Sequence, residues 1–168
     1  SSGFGQYTYT PNAGFSGEDD FAYTLTNSSG VSNQSEVTIY VMKAVSDSYT
    51  VTSTAGATND SLEGYGQVLD FPSALGVNAN DLPIYAPGLT FEVVSGITRT
   101  SSVAGPGQGT GVIDLYFRPT GGFYAVLNTN EYQIPARLNS KRGTYQFSYK
   151  MSLNGVSTPP VTATITVK

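Results

Sequence analysis

Apolar and polar residues alternate with a period of two in many short stretches of the chain. Two clear examples are the stretches 37–41 and 161–167, in which Val, Ala or Ile occupies every second position. Successive side chains of a β-strand point to opposite faces, so this alternation predicts strands with one face on a core and the other in water. Thr, Ser, Val and Tyr are frequent and runs of helix-forming residues are missing, so the chain is predicted to be all-β.

Gly, Pro and Asn turns separate the candidate strands of the longer, C-terminal part. The predicted strands are 48–52, 89–94, 111–118, 123–128, 144–153 and 161–167. Two segments do not fit this pattern: 60–76 could hold a short helical turn around Pro72, and 101–110 is a Gly/Ser/Pro loop. The spacing of the strands predicts an antiparallel two-sheet sandwich.

One order of apolar residues occurs twice in the chain, at a constant offset of 126 residues (147 − 21 = 126). The matching pairs are Phe21 and Phe147, Tyr23 and Tyr149, Leu25 and Met151, Val37 and Ala163, Ile39 and Ile165, and Val41 and Val167. A constant offset means that the connection between the two strands has the same length in both copies. We therefore predict the C-terminal half of a first repeat in residues 1–42 and a complete, divergent second repeat in residues 43–168.

Composition excludes several classes of function. Eight Lys and Arg against twelve Asp and Glu give a net charge of −4, so no basic surface is expected to attract nucleic acid. Cys and His are absent, which removes thiol nucleophiles, imidazole bases and the common zinc sites. No stretch approaches the roughly 18 apolar residues of a membrane span, and no phosphate loop or nucleophile elbow occurs. We expect a protein that is not an enzyme and does not insert into a membrane.

Residues 9–25 read YTPNAGFSGEDDFAYTL and residues 37–41 read VTIYV. Together these segments resemble the tandem immunoglobulin-like or cadherin-like repeats of large bacterial surface adhesins, such as the extender repeats of RTX-type adhesins. The positions that carry the resemblance are Tyr9, Pro11, Gly14, Phe15, Gly17, Asp19, Phe21 and Tyr23. In the second repeat, AVSDSYTV at 44–51 and VNAND at 77–81 fall where a family repeat begins and makes its first turn.

The resemblance implies a secreted or cell-surface bacterial protein whose modules space or present a binding region for cell adhesion. The expected partners are neighbouring repeats of the same polypeptide and a surface glycan or protein receptor. Calcium often lies at the joints between such repeats, so the resemblance also implies a structural calcium ion.

Four acidic residues are the candidate calcium ligands. Glu18, Asp19 and Asp20 lie together just before a predicted strand, and Asp47 lies just past the join between the repeats. Calcium prefers several hard oxygen ligands, so these residues could bind one ion if the repeats stack end to end. The alternative is that they are solvated turn carboxylates, since no D-x-D-x-D-G loop is present. Asp81 precedes Leu82-Pro83 and is interpreted as ordinary turn chemistry.

The apolar face of the partial repeat is expected to need a covering partner, because a small unpaired sheet is only marginally stable in water. Preceding chain could cover it, it could pack on the second repeat, or it could exchange strands with another copy to form a dimer or a fibre. Lys43 and Lys150 lie on or beside strands, and a Lys–Asn or Lys–Asp isopeptide bond is a further alternative.

Tyrosines offer a third class of function, a carbohydrate-binding module, because aromatic faces give flat contact area. Four of them follow the inward parity of their strands and are predicted to lie in the core: Tyr7, Tyr9, Tyr23 and Tyr149. Four others lie in loops or out of phase and are predicted to be exposed: Tyr65, Tyr85, Tyr124 and Tyr132.

Overall fold

The computed structural model describes residues 5–51, 68–102, 113–127 and 143–168. Within these ranges the chain forms twelve β-strands and two short 3-10 helices, and no α-helix is present there. The expectation of an all-β chain is confirmed. The strands follow the β-branched and aromatic stretches that the period-two pattern marks.

An antiparallel hairpin forms the first unit, by which we mean residues 1–42. Strand β1 (Gly17–Tyr23) pairs with β4 (Ser35–Val41), and the turn between them carries the short strands β2 (Thr26–Asn27) and β3 (Gly30–Val31). Within the described part of the chain, β1 and β4 pair only with each other.

The second unit, residues 43–168, contains a five-stranded sheet centred on β10 (Gly143–Leu153). Strand β10 pairs antiparallel with β7 (Thr90–Ser102) along one edge and with β12 (Val161–Val167) along the other. Strand β5 (Asp47–Val51) pairs with β12 in parallel, and the short β11 (Val156–Ser157) follows the turn after β10.

A three-stranded sheet is the other sheet among the described residues of the second unit. Its central strand β9 (Phe123–Leu127) pairs antiparallel with β6 (Val68–Phe71) and with β8 (Ile113–Phe117). Two 3-10 helices, η1 (Ser73–Leu75) and η2 (Val77–Ala79), follow β6.

Two boundaries differ from the sequence prediction. The short helical turn expected within 60–76 is present as η1, directly after Pro72, but the same segment also contains strand β6, which was not predicted and stops before Pro72. Strand β7 was expected to end at residue 94 but continues to Ser102, because register shifts against β10 let the long strand follow its neighbour. The remainder of the predicted loop, 103–110, lies outside the described residues.

The two sheets of the second unit contact each other through aromatic side chains. Phe123 on β9 lies 5.2 Å from Tyr49 on β5 and 5.3 Å from Phe147 on β10, measured between ring centroids. Phe71 on β6 stacks on Phe123 at 4.6 Å. Every second residue of β10 is buried, and these side chains form the core together with the inward residues of β12.

The hairpins of the two units have the same register. Phe21 pairs with Val37 in the first, and Phe147 pairs with Ala163 in the second, which is the offset of 126 residues found in the sequence. The backbone hydrogen bond that closes the turn recurs as well, at 2.8 Å in the first hairpin and 3.0 Å in the second. Equal connection lengths therefore produce equal local structures.

The same hairpins differ in how far their side chains are buried. Tyr149 is fully buried, whereas its counterpart Tyr23 is 44% exposed; Met151 is fully buried, whereas Leu25 is 65% exposed. The prediction that Tyr7 and Tyr23 lie in a core is therefore wrong, and Tyr7 is 59% exposed. The strands that cover β10 and β12 in the second unit have no counterpart among the described residues of the first.

Candidate functional site

Four polar side chains meet inside the second unit, close to the start of its first strand. We call this group, Asp47, Tyr49, Asp81 and Tyr149, the carboxylate cluster. Asp47 and Tyr49 lie two residues apart on β5 and so share its inward face, Tyr149 lies on β10, and Asp81 lies just beyond η2. Asp81 is completely buried and Asp47 is only 9% exposed, so both carboxyl groups lie away from bulk water.

The hydroxyl group of Tyr149 lies within hydrogen-bonding distance of more acceptor oxygens than its one hydrogen can bond. It lies 2.8 Å from the carbonyl oxygen of Val45, 3.0 and 3.2 Å from the two carboxyl oxygens of Asp81, and 3.3 Å from the carbonyl oxygen of Val77. The backbone N–H of Val45 donates to Asp81 Oδ1 at 2.6 Å. A hydroxyl has one hydrogen to donate, so most of these oxygen pairs have no proton between them.

Asp47 is the other buried carboxyl group of the cluster, and one of its oxygens is unsatisfied. Its Oδ2 is buried and has no hydrogen-bond partner among the described residues, and the same is true of the Tyr49 hydroxyl. Burial raises the pKa of Asp47 to about 7 and the charge of Asp81 also raises it, whereas the polar side chains of Tyr149, Tyr49 and Asn80 lower it. Burial also raises the pKa of Asp81 to about 6, against the hydrogen bonds from Val45 and Tyr149.

A buried pair of carboxyl groups needs a compensating positive charge, because burying an unpaired charge is very unfavourable. No described Lys or Arg is among the groups that shift the pKa values of Asp47 and Asp81. The cluster can therefore hold a proton or a cation. It contains no thiol, imidazole or amine that could act as a nucleophile.

The predicted calcium ligands of the first unit lie on β1. Asp19 accepts a hydrogen bond from the Tyr9 hydroxyl at 2.8 Å, and strand parity puts Glu18 and Asp20 on the opposite face of β1. Asp20 lies near Glu36 on β4; a hydrogen bond between the two carboxyl groups and the charge of Asp20 raise the pKa of Glu36.

Asp47, the fourth predicted ligand, lies in the carboxylate cluster with Asp81. Among the described residues, no three Asp, Glu, His or Cys side chains form a group able to hold a metal ion. Calcium bound jointly by Glu18, Asp19, Asp20 and Asp47 stays a prediction.

Sequence reasoning missed the role of Asp81. It interpreted the residue as ordinary turn chemistry before a proline and did not predict that the side chain is fully buried against Tyr149. The sequence held one signal for this contact: Tyr149 follows the inward parity of its strand, and a buried tyrosine hydroxyl usually needs a polar partner.

Exposed aromatic residues occur on the smaller sheet. Tyr116 on β8 is 48% exposed and stacks on Tyr124 of β9, with ring centroids 4.6 Å apart and planes 7° from parallel. The guanidinium of Arg118 lies 5.3 Å from the Tyr124 ring centre, a cation–π arrangement. Tyr85 is 77% exposed, as predicted, and Tyr124 is half-buried. Tyr65 and Tyr132 lie outside the described residues.

Lys150 lies on the face of β10 that points away from the core. Its Nζ is 3.3 Å from a carboxyl oxygen of Glu92 on the neighbouring strand β7. Glu92 is largely exposed, so this ion pair is of the surface type that contributes little to stability. Lys43 is exposed and its backbone bridges to Leu82.

The family model for the bacterial Ig domain (Big_9) matches residues 1–40. This match supports the resemblance of the first unit to a bacterial Ig-like repeat. Such domains are typical of structural or surface-associated modules and are generally not enzymes. No curated protein matches the chain. In the part of the chain that the structure describes, no helix has the length and apolar character that crossing a membrane requires.

Proposed function

We propose that the chain is a non-enzymatic module of an extracellular bacterial surface protein, where it spaces or presents a binding region for cell adhesion. The bacterial Ig match to residues 1–40 supports the class of protein. The recurrence of one hairpin register at an offset of 126 residues supports tandem Ig-like repeats, with residues 43–168 as a two-sheet sandwich of the same kind.

The observation that favours a load-bearing spacer is the parallel pairing of β5 and β12. These are the first and last long strands of the second unit, and they pair over five residues from Asp47↔Ala163 to Val51↔Val167. The chain enters the pair at Asp47 and leaves it after Val167, which are opposite ends. A pull on residue 43 and Lys168 therefore loads these backbone hydrogen bonds together in shear instead of one after another.

Single-molecule force spectroscopy tests this proposal. With handles at the two ends of the chain, residues 43–168 should unfold in one step that lengthens the chain by about 400–450 Å, minus the folded end-to-end distance. Handles at Gly143 and Lys168, which lie at the same end of the antiparallel β10–β12 pair, load its hydrogen bonds one after another and should give a lower unfolding force. Equal forces in the two geometries would refute the spacer proposal.

Two threonine variants provide a matched comparison. Thr50 lies in β5 and is exposed; Thr38 lies in β4 of the first unit and is also exposed. Proline lacks the N–H and disrupts a strand pair, so T50P should lower the unfolding force of the second unit. T38P should leave that force unchanged. Antibodies to residues 43–168 should label intact cells of the source bacterium, and labelling only after lysis would contradict a surface location.

An alternative function is a self-assembling fibre subunit that completes the first hairpin by strand exchange. The exposed Tyr23 and Leu25, whose counterparts are buried in the second unit, favour it. Light scattering over a range of concentrations distinguishes the two functions, because a fibre subunit gains mass with concentration and a spacer does not.

A carbohydrate-binding module is the other alternative, favoured by the exposed, stacked Tyr116. A glycan array tests it. Binding that is lost in Y116A and kept in Y85A would assign the glycan to the smaller sheet, while an array without signal would eliminate this alternative.

A further inference from the structure

We propose that residues 42–46 fasten the first unit to the second and hold the β1–β4 hairpin at a fixed orientation without requiring a metal ion. We call these residues the strap. The strap precedes β5 and pairs with the segment that follows η2, residues 80–82. The inference does not depend on the chain being a load-bearing spacer, since it concerns only the joint between the two units.

The first argument is the length of free chain at the joint. Strand β4 ends at Val41, and the backbone of Lys43 forms a β-bridge with Leu82 of the second unit. Met42 is therefore the one residue between two hydrogen-bonded backbones. Mobile domains are joined by exposed linkers in which few contacts cross, whereas a single residue offers only two soft backbone angles. The joint has too little free chain to act as a flexible linker.

Backbone hydrogen bonds at the start of the strap are the second argument. The N–H of Lys43 donates to the carbonyl oxygen of Leu82 at 2.8 Å, and the N–H of Leu82 donates to the carbonyl oxygen of Lys43 at 3.0 Å. This exchange of two hydrogen bonds is the pattern of a directly opposed antiparallel residue pair. It ties the chain to the second unit two residues after β4 ends.

Asp81 holds the next part of the strap. The N–H of Val45 donates to Asp81 Oδ1 at 2.6 Å, and the Tyr149 hydroxyl lies 2.8 Å from the carbonyl oxygen of Val45. Asp81 and Tyr149 are both completely buried, so water competes little for these contacts. The strap is therefore bonded to the second unit at Lys43 and again at Val45.

Side-chain packing is the third argument. Met42 and Ala44 pack against the core cluster of buried residues, every one of which lies in the second unit, although Met42 directly follows the last strand of the first unit. Both side chains are half-buried. They lie two residues apart and so share one face of an extended segment. A hinge motion at the joint would have to withdraw Met42 from this apolar surface, which is unfavourable.

The distance between a label on each unit measures how rigid the joint is. The chain has no Cys, so two introduced cysteines carry spin labels at defined positions. S35C lies at the end of β4 far from the joint, S48C lies in β5, and both positions are exposed. The six steps from Ser35 to Val41 (41 − 35 = 6) make a lever of about 20 Å, so a swing of about 30° would move the first label by about 10 Å.

Pulsed EPR gives the distribution of distances between the two labels. We expect one narrow distribution in the otherwise wild-type chain, with the same width in EDTA and in excess calcium. Four Gly residues inserted between Val41 and Met42 leave the strap contacts in place and add about 10–12 Å of flexible chain by root mean square. This insertion variant should give a broad distribution and defines the width of a free joint.

Lys43 offers a matched pair of variants. K43P removes the N–H that donates to Leu82, whereas K43A keeps this N–H and removes only an exposed side chain. K43P should broaden the distance distribution toward that of the insertion variant, and K43A should leave it unchanged. Amide hydrogen exchange is the second measurement on the wild type. The N–H groups of Lys43 and Val45 should exchange about as slowly as those of the β5–β12 pair, because the strap should open only together with the second unit.

Three results would each overturn the proposal. The first is a distribution in the wild-type background as broad as that of the insertion variant, which would mean that the hairpin swings at residue 42. The second is a distribution that narrows only in calcium, which would mean that a metal ion and not the strap fixes the joint. The third is exchange of the Lys43 and Val45 amides as fast as that of exposed turns, a result that does not require K43P to fold.

Discussion

Replacing Gly76 with alanine is expected to lower the free energy of unfolding of the second unit by about 2–4 kcal/mol. Gly76 lies between η1 and η2 with a φ of −82°, which any residue adopts, so the cost is one of space. A Cβ there would overlap the carbonyl oxygen of Gly121 and lie 2.9 Å from the carbonyl carbon of Gly121 and from Gly122 Cα. These are backbone atoms, which cannot rotate away as a side chain could.

The size of this destabilisation follows from the displacement of the loop at Gly121 that a Cβ at Gly76 would require. Gly121 O also accepts the N–H of Val77 at 2.9 Å, so displacing this loop loses a buried hydrogen bond worth about 1 kcal/mol. Forcing extra volume into a packed region costs about 1–3 kcal/mol more. The completely buried Val77 and Phe123 lie next to the two glycine segments, so the shift reaches the core directly.

Gly96 in β7 supplies the control. A Cβ at Gly96 would meet nothing within 4 Å, and its φ lies outside the left-handed region. Alanine there should be neutral or stabilise by up to about 1 kcal/mol. Urea unfolding of wild type, G76A and G96A gives the two free-energy changes. If G76A lies within about 0.5 kcal/mol of G96A, the loop is free to move and the steric reasoning fails.

Three further predictions concern the core and the carboxylate cluster. Y149F should lower the free energy of unfolding by about 1–3 kcal/mol, because it removes a buried hydroxyl bonded to Val45 and Asp81, whereas Y85F at an exposed position should have no effect in the same urea titration. F147A should cost about 3–5 kcal/mol, while F21A, the same position in the first hairpin, should leave the melting of the second unit unchanged. In EDTA, the folded-state pKa values of Asp47 and Asp81 are raised to about 7 and about 6 from an ordinary 3.8, so folding takes up protons. The stability of the wild type relative to D81N should therefore fall as pH rises from about 4 to 8. A difference in Tm between the two proteins that stays constant over this pH range would contradict the prediction.

Local structure was largely predictable from the sequence because it depends on neighbours along the chain. Alternation marked β10 and β12, and Asn154-Gly155 marked the turn after β10, where both residues adopt the left-handed conformation. Strand β6 was missed because its four residues mix with turn-forming ones around Pro72 and do not alternate clearly.

The candidate site could be predicted only in part, because it depends on contacts between distant segments. Asp47 was chosen as a ligand, but its neighbour Asp81 lies on another segment and was assigned to a turn. Nothing in the Asn-Asp-Leu-Pro sequence indicates that the carboxyl group points inward. The register of β5 against β12 and the position of η2 beside β10 decide this, and neither follows from periodicity.

The two hairpins show which features depend on the strand pattern and which depend on the surrounding segments: register belongs to the first group and side-chain burial to the second. Their registers and turn hydrogen bonds coincide, so the pattern alone suffices to build the hairpin. Burial does not coincide: Tyr149 is enclosed by β5, β7 and the smaller sheet, while Tyr23 remains 44% exposed. The hydroxyl of Tyr149 obtains its partners from Val45, Val77 and Asp81, all of which precede the hairpin in the second unit. The buried tyrosine of the second hairpin therefore obtains its polar partners only from segments that precede the hairpin, and the hairpin pattern by itself cannot encode the carboxylate cluster.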